Sequence, residues 1–326
     1  MSIHKFISVL AALLIGAGLV LASGTVSAAE YPSNPIHLII PFKAGGGTDN
    51  IGRGIAKALE EASGVSIVVD NITGGGGVKG NMHVIKSKKN GYTVLMNGTQ
   101  DITAGLTFKK LPMSLDDFIY IGAFFTSPTY ILSHKDRNLK TFEEFLERAR
   151  ANPGKLTIGT AGPRGAQMIM ATAIKGSTGV DFRIIPYSGG ADLKKALHGN
   201  QVDAGIIHAP VMLSAVKAGV INVIGTGMSL SKIGYPPIRG TKTLKDIGID
   251  LEIGITRGIY LPKGTPPAIV AKLTQIVEKA AKSETFAKFG KTYGFAPLWI
   301  NGADFEKMIR AELDTNRKIK AKYIDK

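Results

Sequence analysis

The chain has 326 residues, of which 44% are hydrophobic and 20% are charged, and its formal net charge is +15. This length can bury one large core or two medium ones, which excludes disorder as the main state. No cysteine is present, so disulfide frameworks, thiolate zinc sites, iron–sulfur clusters and thiol nucleophiles are excluded.

The first 29 residues have the pattern of a secretory signal peptide. Lys5 precedes an apolar run from Phe6 to Ala22, and small residues at Val26 and Ala28 follow it. This order is typical of a signal that is cleaved after Ala28 or Ala29. An uncleaved membrane anchor is the alternative, because the run approaches the shortest transmembrane span. We expect export to a periplasm as a soluble protein without a lipid anchor, since no cysteine follows the run.

The positive charge is not arranged for nucleic acid. The densest basic runs, at Lys86–Lys89 and Arg317–Lys322, lack interleaved aromatic residues, and the export signal also argues against such a partner. The charge is consistent with solvated helix faces or with a small anionic ligand.

Apolar runs rich in Ile and Val alternate with helix-like segments, which predicts an α/β fold with parallel strands. The predicted strands are Ile36–Phe42, Ser66–Asp70, Tyr92–Asn97, Tyr120–Phe125, Thr129–Ser133, Leu156–Thr160, Phe182–Pro186, Ala204–His208, Ile221–Thr226 and Leu251–Leu261. The predicted helices are Thr48–Ala62, Val78–Ser87, Thr141–Arg150, Ala166–Ser177, Ala191–Leu197, Pro210–Lys217, Pro266–Ala281, Glu284–Phe289 and Ala303–Ala321.

These elements divide into two series of strands, the second of which starts near Leu156. The mostly helical segment from Pro266 needs a sheet to cover, so we expect it to return to the first series. The predicted organisation is a signal peptide at 1–29, lobe 1 at 30–130 plus 254–326, and lobe 2 at 131–253. Two chain crossings between the lobes would form a hinge.

The loop PFKAGGGTDN joins the first predicted strand to the first predicted helix. Gly45, Gly46 and Gly47 leave backbone N–H groups uncovered, and Thr48 or Asp49 can cap the helix. N–H groups that converge at the positive end of a helix bind anions. Asp49 would orient the loop rather than touch the anion, since two negative charges repel. A tight turn with a helix cap is the alternative.

Two further strand-to-helix loops fall in the second series. In GTAGPRGAQ, Arg164 adds a guanidinium that suits a carboxylate, and in PYSGGAD the hydroxyls of Tyr187 and Ser188 precede a helix start. His208 and Arg257 lie at or near predicted strand ends, where they can face a cleft. For each of these residues a structural or solvated role is the alternative.

Other motifs carry less weight. Gly75, Gly77 and Gly80 match the dinucleotide pattern GxGxxG, with Asp101 about twenty residues on, but the motif is separated from its strand and lies in the second unit. The sequence has no HExxH, GxSxG, Walker A or EF-hand pattern, and two S-x-x-K matches lack a partner motif. We expect no metal, no cofactor and no catalytic set.

Five ordered segments carry a family resemblance: YPSNPIHLIIPFKAGGGTD, NITGGGGVKG, NGYTVLMNGT, IIPYSGGADLKKALHGNQVDAGI and RGIYLPKGTPPAIVAKL. From Tyr31 to about Ile309 the chain resembles the substrate-binding proteins of the tripartite tricarboxylate transporter system, the Bug family. The resemblance implies a type II periplasmic binding fold with two α/β lobes around a cleft. It also implies a soluble periplasmic receptor that delivers its ligand to two integral membrane subunits.

In the family, backbone N–H groups and ordered water of two facing loops hold a ligand carboxylate. The resemblance carries this role to Phe42, Ala44, Gly45, Gly46 and Asp49 in lobe 1, and to Gly162–Gln167 and Tyr187–Gly189 in lobe 2. The patterns described above add Gly47, Thr48, His208 and Arg257.

The chain departs from the family in two places. Many members carry Gly-Ser-x-x-His where this chain reads Gly165, Ala166, Gln167, so a hydroxyl and an imidazole are missing, and Arg164 with Gln167 can replace their polarity. Many members also have an aromatic residue before a late glycine, where this chain has Arg257, which resembles the tricarboxylate-type branch.

We therefore expect a monomeric, non-enzymatic receptor that captures a small organic carboxylate between closing lobes. Its expected partners are that carboxylate and the integral membrane subunits. Two alternatives stay open: an exported enzyme that acts on a small anionic substrate, which needs a catalytic pair in the cleft, and a receptor that signals rather than transports.

Overall fold

The computed structural model describes residues 31–162, 165–208, 211–229 and 241–325. The expected signal peptide and Arg164 lie outside these residues, as does the predicted start of a helix at Pro210.

The strands are β1 Ile36–Ile40, β2 Ile67–Asn71, β3 Thr93–Gly98, β4 Phe118–His134, β5 Thr157–Ala161, β6 Arg183–Tyr187, β7 Ala204–His208, β8 Ile221–Thr226, β9 Gly254–Pro262 and β10 Ile300–Asn301. The α-helices are α1 Gly47–Ser63, α2 Val78–Lys86, α3 Thr99–Phe108, α4 Phe142–Ala151, α5 Ala166–Thr178, α6 Gly190–His198, α7 Leu213–Lys217, α8 Pro267–Ala281, α9 Glu284–Tyr293 and α10 Gly302–Tyr323.

The first sheet has the strand order β2-β1-β3-β9-β4, with the short β10 on the other edge of β4. The strands β1, β2 and β3 are parallel, whereas β9 runs antiparallel to both β3 and β4. Parallel strands that are joined by helices place all their carboxyl ends at one edge, which is where ligands bind in open α/β sheets. The loops after β1 and β2 and the start of α3 after β3 lie at that edge.

The second sheet has the order β4-β7-β5-β6, with β8 on the other side of β4. Here β5, β6 and β7 are parallel, and β4 is antiparallel to β7 and β8. The long strand β4 is therefore shared by both sheets. The predicted α/β architecture of two lobes, each with a sheet and flanking helices, is confirmed.

The chain changes from one sheet to the other within β4. Pro128 is the last β4 residue in register with β9, and Thr129 is the first in register with β7. A second connection leads from β8 to β9, where Gly227 accepts a backbone hydrogen bond from Ile253 at 2.7 Å. These facts locate two connections between the sheets, and the predicted lobe boundaries near residues 130 and 253 stay a prediction.

The last helix, α10, covers both lobes. It packs on α3 and β4 in the first lobe, and at its end the hydroxyl of Ser177, in α5 of the second lobe, donates to the Tyr323 hydroxyl at 3.2 Å. Gly176 also lies against the Tyr323 ring, where a Cβ would come within 2.2 Å of Cδ1. None of the described helices combines the length and the apolar character needed to cross a bilayer.

Most predicted elements are present with shifts of a few residues at their ends, and three differences remain: two predicted strands are one, and α3 and the short strand β10 were not predicted. The predicted strands at 120–125 and 129–133 are two parts of the single strand β4, and Pro128 lies between them where the pairing partner changes from β9 to β7. The helix α3 was not predicted. Its sequence, TQDITAGLTF, has three threonines and a glycine, which weaken helix propensity, but its Thr99, Thr103 and Thr107 are buried.

Candidate functional site

The first Gly-rich loop, Pro41–Gly46, is organised by Asp49, which is 1% exposed. Its Oδ2 atom accepts hydrogen bonds from the Gly45 N–H at 2.8 Å and from Arg53 Nε at 2.9 Å, and its Oδ1 accepts from Asn71 Nδ2 at 2.9 Å. Burial raises the pKa of Asp49, but these hydrogen bonds outweigh burial and hold the pKa below its ordinary value. Asp49 is thus ionised and fully engaged within the protein, which agrees with an orienting role.

Gly45 requires its glycine. Its φ angle is 76°, in the left-handed region that other residues rarely adopt. The turn it makes directs the chain into α1, and the backbone of Gly46 takes up the N-cap position of that helix without a side-chain cap. The first N–H groups of α1 have no partner within the helix and point into the space in front of the loop.

Glycine N-caps recur at the helices that directly follow the strands β1, β2, β3, β5 and β6. The helices α1, α2, α3, α5 and α6 all begin after a glycine that makes no side-chain cap hydrogen bond: Gly46, Gly77, Gly98, Gly165 and Gly189. Three other helices are capped by side chains, α4 by Thr141, α9 by Ser283 and α10 by Asn301, whereas α7 and α8 begin at Met212 and Pro266 without a side-chain cap. A side-chain cap uses a first-turn N–H group that a ligand could otherwise occupy, so several helix starts here keep their donors open.

A cleft of about 1520 Å³ lies between the lobes in front of these helix starts. Among the residues predicted to bind ligand, those that line it are Phe42, Ala44, Gly45, Gly46, Gly47, Thr48, Gly162, Gly165, Gln167, Ser188, Gly189, His208 and Arg257. Asp49, Ala166 and Tyr187 are outside this lining. The Tyr187 ring packs instead on Gly159 in the sheet, where a Cβ would come within 3.2 Å of its Cε2. Ligand contact by any of these residues stays a prediction.

Arg257 is a buried cation in the wall of the cleft. It projects from β9, opposite Gly98 of β3 and Phe125 of β4, and only 4% of the residue is exposed. Its guanidinium carbon lies 5.4 Å from the centre of the Phe125 ring, and Nη2 donates to Thr48 Oγ1 at 3.3 Å. Arg257 is thus fixed under the start of α1, where its charge adds to the positive end of the helix dipole.

His208 lies at the end of β7, on the opposite side of the cleft. Its Nδ1 is 2.9 Å from Thr129 Oγ1, while no described residue provides a partner for Nε2. Burial, together with the charge of Arg257, lowers the pKa of His208 to about 3. The imidazole is therefore neutral, and Nε2 is a hydrogen-bonding atom on the cleft wall rather than a charge.

The loops from the second lobe complete the opposite wall. Gly162 has a φ angle of 102° and turns the chain after β5, and Gln167, 7% exposed, lies in the first turn of α5. In the next loop, the Ser188 hydroxyl donates to an Asp192 carboxylate oxygen. Ser188 is thus engaged within its loop, whereas the glycines beside it leave the backbone accessible.

The sequence analysis missed part of the lining. The loop Thr73–Gly77, which was discounted with the dinucleotide pattern, lines the cleft beside the first loop, and its four glycines all have positive φ angles. Gly80 is needed for packing, because a Cβ there would come within 2.7 Å of Pro41 Cβ. The parallel pairing of β1 with β2 could have revealed this loop, since it brings both strand ends to one edge.

Asp101 is a second residue that sequence reasoning did not assign to the cleft. It lies in the first turn of α3 and lines the cleft. Burial raises the pKa of Asp101 to about 6, although Arg257 opposes this shift. Lysines at the cleft rim were missed as well: Lys43, Lys109, Lys194, Lys195 and Lys217. The cleft therefore combines open N–H donors, a buried cation and a basic rim with one inner carboxyl group.

Comparison with known proteins agrees with this architecture. A UPF0065 protein in the tcbD-tcbE intergenic region of Pseudomonas sp. (strain P51) is 30% identical over 295 residues, which cover 86% of this chain and 87% of that protein. The periplasmic binding protein BugD superposes with a TM-score of 0.80 at 26% identity, over 90% of this chain and 98% of BugD. An R. palustris protein solved with adipate has the same fold, with a TM-score of 0.81 at 24% identity over 90% and 98% of the two chains.

Residues 51–323 match the family described as "Tripartite tricarboxylate transporter family receptor". That match spans both lobes, the cleft loops of the second lobe, and β9 with Arg257. The chain therefore belongs to the tripartite tricarboxylate transporter family of receptors, which are periplasmic solute-binding proteins.

Proposed function

We propose that this receptor captures a small organic carboxylate in the interlobe cleft and delivers it to the integral membrane subunits of a tripartite tricarboxylate transporter. The observation that carries the proposal is the convergence of helix starts without side-chain caps on a cleft that holds Arg257. Both features attract an anion, and a guanidinium with backbone N–H donors suits the two oxygens of a carboxylate.

The electrostatics of the cleft favour an anion over a neutral solute. Arg257 is buried beside the positive end of α1, so the guanidinium and the helix N-terminus both attract a negative charge to this part of the cleft. A bound carboxylate would also accept hydrogen bonds there. The rim lysines would raise the local concentration of anions before binding.

Closure of the lobes is the proposed step that follows capture. The cleft of about 1520 Å³ is larger than the roughly 300 to 1,000 Å³ of pockets that enclose small ligands. A carboxylate that contacts loops of both lobes gains contacts on closure, and those extra contacts shift the population toward the closed form. The proposal includes export to the periplasm through the N-terminal signal and action as a monomer.

The enzyme alternative has one point of contact with the structure, the pairing of Thr129 with His208. A hydroxyl at 2.9 Å from an imidazole resembles a nucleophile with its base. However, the pKa of His208 is about 3, so the imidazole is a poor base near neutral pH. Thr129 is also almost fully buried and outside the cleft lining. This pair does not favour catalysis, and the proposal is binding without turnover.

Thermal unfolding with a panel of solutes tests the proposal. The full-length gene would be expressed and the exported protein purified from the periplasm, which also tests the signal peptide. Succinate, malate, adipate and citrate would be compared with succinamide, which has the shape of succinate without its charges. We expect a saturable rise in melting temperature with one or more acids, equivalent to about 2.7 kcal/mol at a hundredfold excess over Kd, and none with succinamide. Equal stabilisation by the amide, or no shift with any acid, would contradict the proposal.

A further inference from the structure

The carboxyl group of Asp101 is an unused acceptor in the cleft wall. Its Oδ2 is shielded from solvent, and no described residue provides it with a hydrogen-bond partner. The residue as a whole is partly exposed and lines the cleft, so rotation of the carboxyl can present an oxygen to a ligand. Buried carboxylate oxygens in native proteins are nearly always hydrogen-bonded. This acceptor is thus placed to receive a donor from outside the protein.

The position of Asp101 relative to Arg257 is fixed by the sheet. Arg257 is in register with Gly98, and Oδ2 of Asp101 lies 2.9 Å from the point that a Cβ on Gly98 would occupy. The glycine therefore leaves room for the carboxyl beside the guanidinium, and the two side chains interact electrostatically. A ligand carboxylate held by Arg257 would bring the rest of its skeleton next to Asp101.

We propose that Asp101 makes this cleft selective for carboxylates that carry a hydrogen-bond donor, a hydroxyl or an ammonium group, on their carbon skeleton. The inference rests on the proposed function, because Arg257 and the helix N–H groups must hold the ligand's carboxylate. Asp101 then accepts the hydrogen bond from the skeleton donor. A dicarboxylate without such a donor leaves Asp101 unpaired and adds a like charge beside it.

Proton binding gives this selectivity a pH signature. The charged or titratable groups that act on Asp101 are Arg257 and Tyr260 on β9 and Glu312 on α10. Burial raises the pKa of Glu312 to about 8 and that of Tyr260 well above its ordinary value, whereas the pKa of Asp101 is raised to about 6. Asp101 therefore loses its proton before the other two as the pH rises.

Two classes of ligand therefore respond differently to pH. A dicarboxylate without a donor binds best when Asp101 is protonated, so its affinity falls toward a limit of about tenfold per pH unit above pH 6. A ligand with a donor binds the ionised form directly, so its affinity changes little over the same range. The affinity falls with rising pH only for the acid without a donor, because only that complex requires Asp101 to take up a proton.

The test compares succinate, malate and aspartate by isothermal titration calorimetry at pH 5.5, 6.5 and 7.5. These four-carbon dicarboxylates share their carboxylate spacing and differ in having no donor, a hydroxyl or an ammonium. Glutarate with 2-hydroxyglutarate and glutamate, and tricarballylate with citrate, extend the comparison to longer acids. We expect the donor-bearing acid of a set to bind at least about tenfold more tightly than its partner at pH 7.5, and the gap to narrow at pH 5.5.

Asp101→Asn should reduce that preference by about tenfold and abolish the fall in affinity between pH 6.5 and 7.5 for the acid without a donor. Asp314→Asn, an equal charge change at an exposed position on α10, should leave both unchanged. The wild-type pH series alone also decides the matter, should Asp101→Asn fail to fold. If acids with and without a donor bind equally well at every pH, this inference is overturned. That result would still support the proposed function, since the acids bind. If no acid in the panel binds, both this inference and the proposed function are overturned. The comparison of malate with aspartate shows whether the preferred donor is a hydroxyl or an ammonium group.

Discussion

Arg257 is held in position before any ligand arrives. Phe125 stacks against its guanidinium, Thr48 accepts a hydrogen bond from Nη2, and the residue is almost fully buried. A side chain that is already fixed loses little conformational entropy when it binds, so more of its interaction energy appears as affinity. This makes Arg257 the single side chain on which carboxylate affinity should depend most.

Arg257→Gln is expected to weaken binding of the best carboxylate by about 1.5 to 3 kcal/mol, the usual contribution of a hydrogen bond to a charged group. Isothermal titration calorimetry at neutral pH measures the change. Arg317→Gln removes the same charge from an exposed position on α10 and should have little effect. Unchanged affinity in a folded Arg257→Gln protein would remove the residue from the binding site.

Asp49 acts on stability rather than on the ligand. It accepts hydrogen bonds from Gly45, Arg53 and Asn71, and its pKa is below the ordinary value. The unfolded chain therefore binds this proton more readily than the folded protein does. The stabilisation is present at neutral pH and is lost as the pH falls through the lowered pKa, below about 4.

We predict that Asp49→Asn lowers the free energy of unfolding by about 1 to 3 kcal/mol at pH 7. The difference from the wild type should shrink as the pH falls below about 4, because the unfolded chain then takes up this proton before the folded protein does. Urea unfolding at pH 7 and pH 3 measures both values, with Asp314→Asn as the control for charge. A deficit that does not change with pH would show that ionisation of Asp49 is not what stabilises the loop.

The helix α3 shows where sequence patterns stop being informative. Its buried face carries threonines rather than large apolar residues, so no amphipathic pattern marks it. The partner of that face is Glu312 of α10, whose two carboxyl oxygens accept hydrogen bonds from Thr99 at 2.7 Å and Thr103 at 2.5 Å. The helix depends on a residue more than 200 positions away in the chain, which no local propensity records. Asp101 was missed for the same reason.

The binding loops, by contrast, were predictable at the level of elements. A strand, a run of glycines and a helix in that order fix the geometry locally, as Gly45 and Gly46 illustrate with a left-handed turn followed by an N-cap. The loop at Gly74–Gly77 has the same local pattern, but its role depends on which strand lies beside β1. Strand order is a tertiary property, and a single sequence does not contain it directly.

Glu312 links α3 and α10 through a proton. Burial raises its pKa to about 8, and the charge of Asp101 contributes to the shift while the two threonine hydroxyls oppose it. The folded protein therefore binds this proton more tightly than the unfolded chain, whose carboxyl titrates near pH 4.5. Its contribution to stability is complete below that pH and declines as the pH rises toward 8.

Glu312→Gln should keep the acceptor for the threonine hydroxyls without the ionisable proton. We predict that this variant becomes progressively more stable than the wild type between about pH 5 and 8, with a maximum slope of about 1.4 kcal/mol per pH unit. Chemical unfolding across this range tests it. Parallel curves for Glu312→Gln and wild type would refute the assignment.

At the scale of the whole molecule, β4 is the element that joins the lobes. Its 17 residues pair with β9 and β10 in one sheet and with β7 and β8 in the other. The second connection is anchored to it, since Gly227 donates to the Thr129 carbonyl at 2.7 Å. Two adjacent connections would act as a hinge, which stays a prediction, and α10 also contacts the second lobe where Tyr323 meets Ser177.

Ligand-induced closure should therefore appear as a change in overall dimensions. Small-angle X-ray scattering with saturating carboxylate is expected to give a smaller radius of gyration than the ligand-free protein, because contacts from both lobes to one anion are complete only when the cleft narrows. Arg257→Gln should show a smaller decrease at a ligand concentration that just saturates the wild type, because its affinity is lower. The variant also controls for a general effect of the salt, since it keeps nearly the whole basic surface. A saturating ligand that leaves the radius unchanged would mean that both lobes already lie in their binding positions, so that affinity comes from the open helix starts and Arg257 without a contribution from closure.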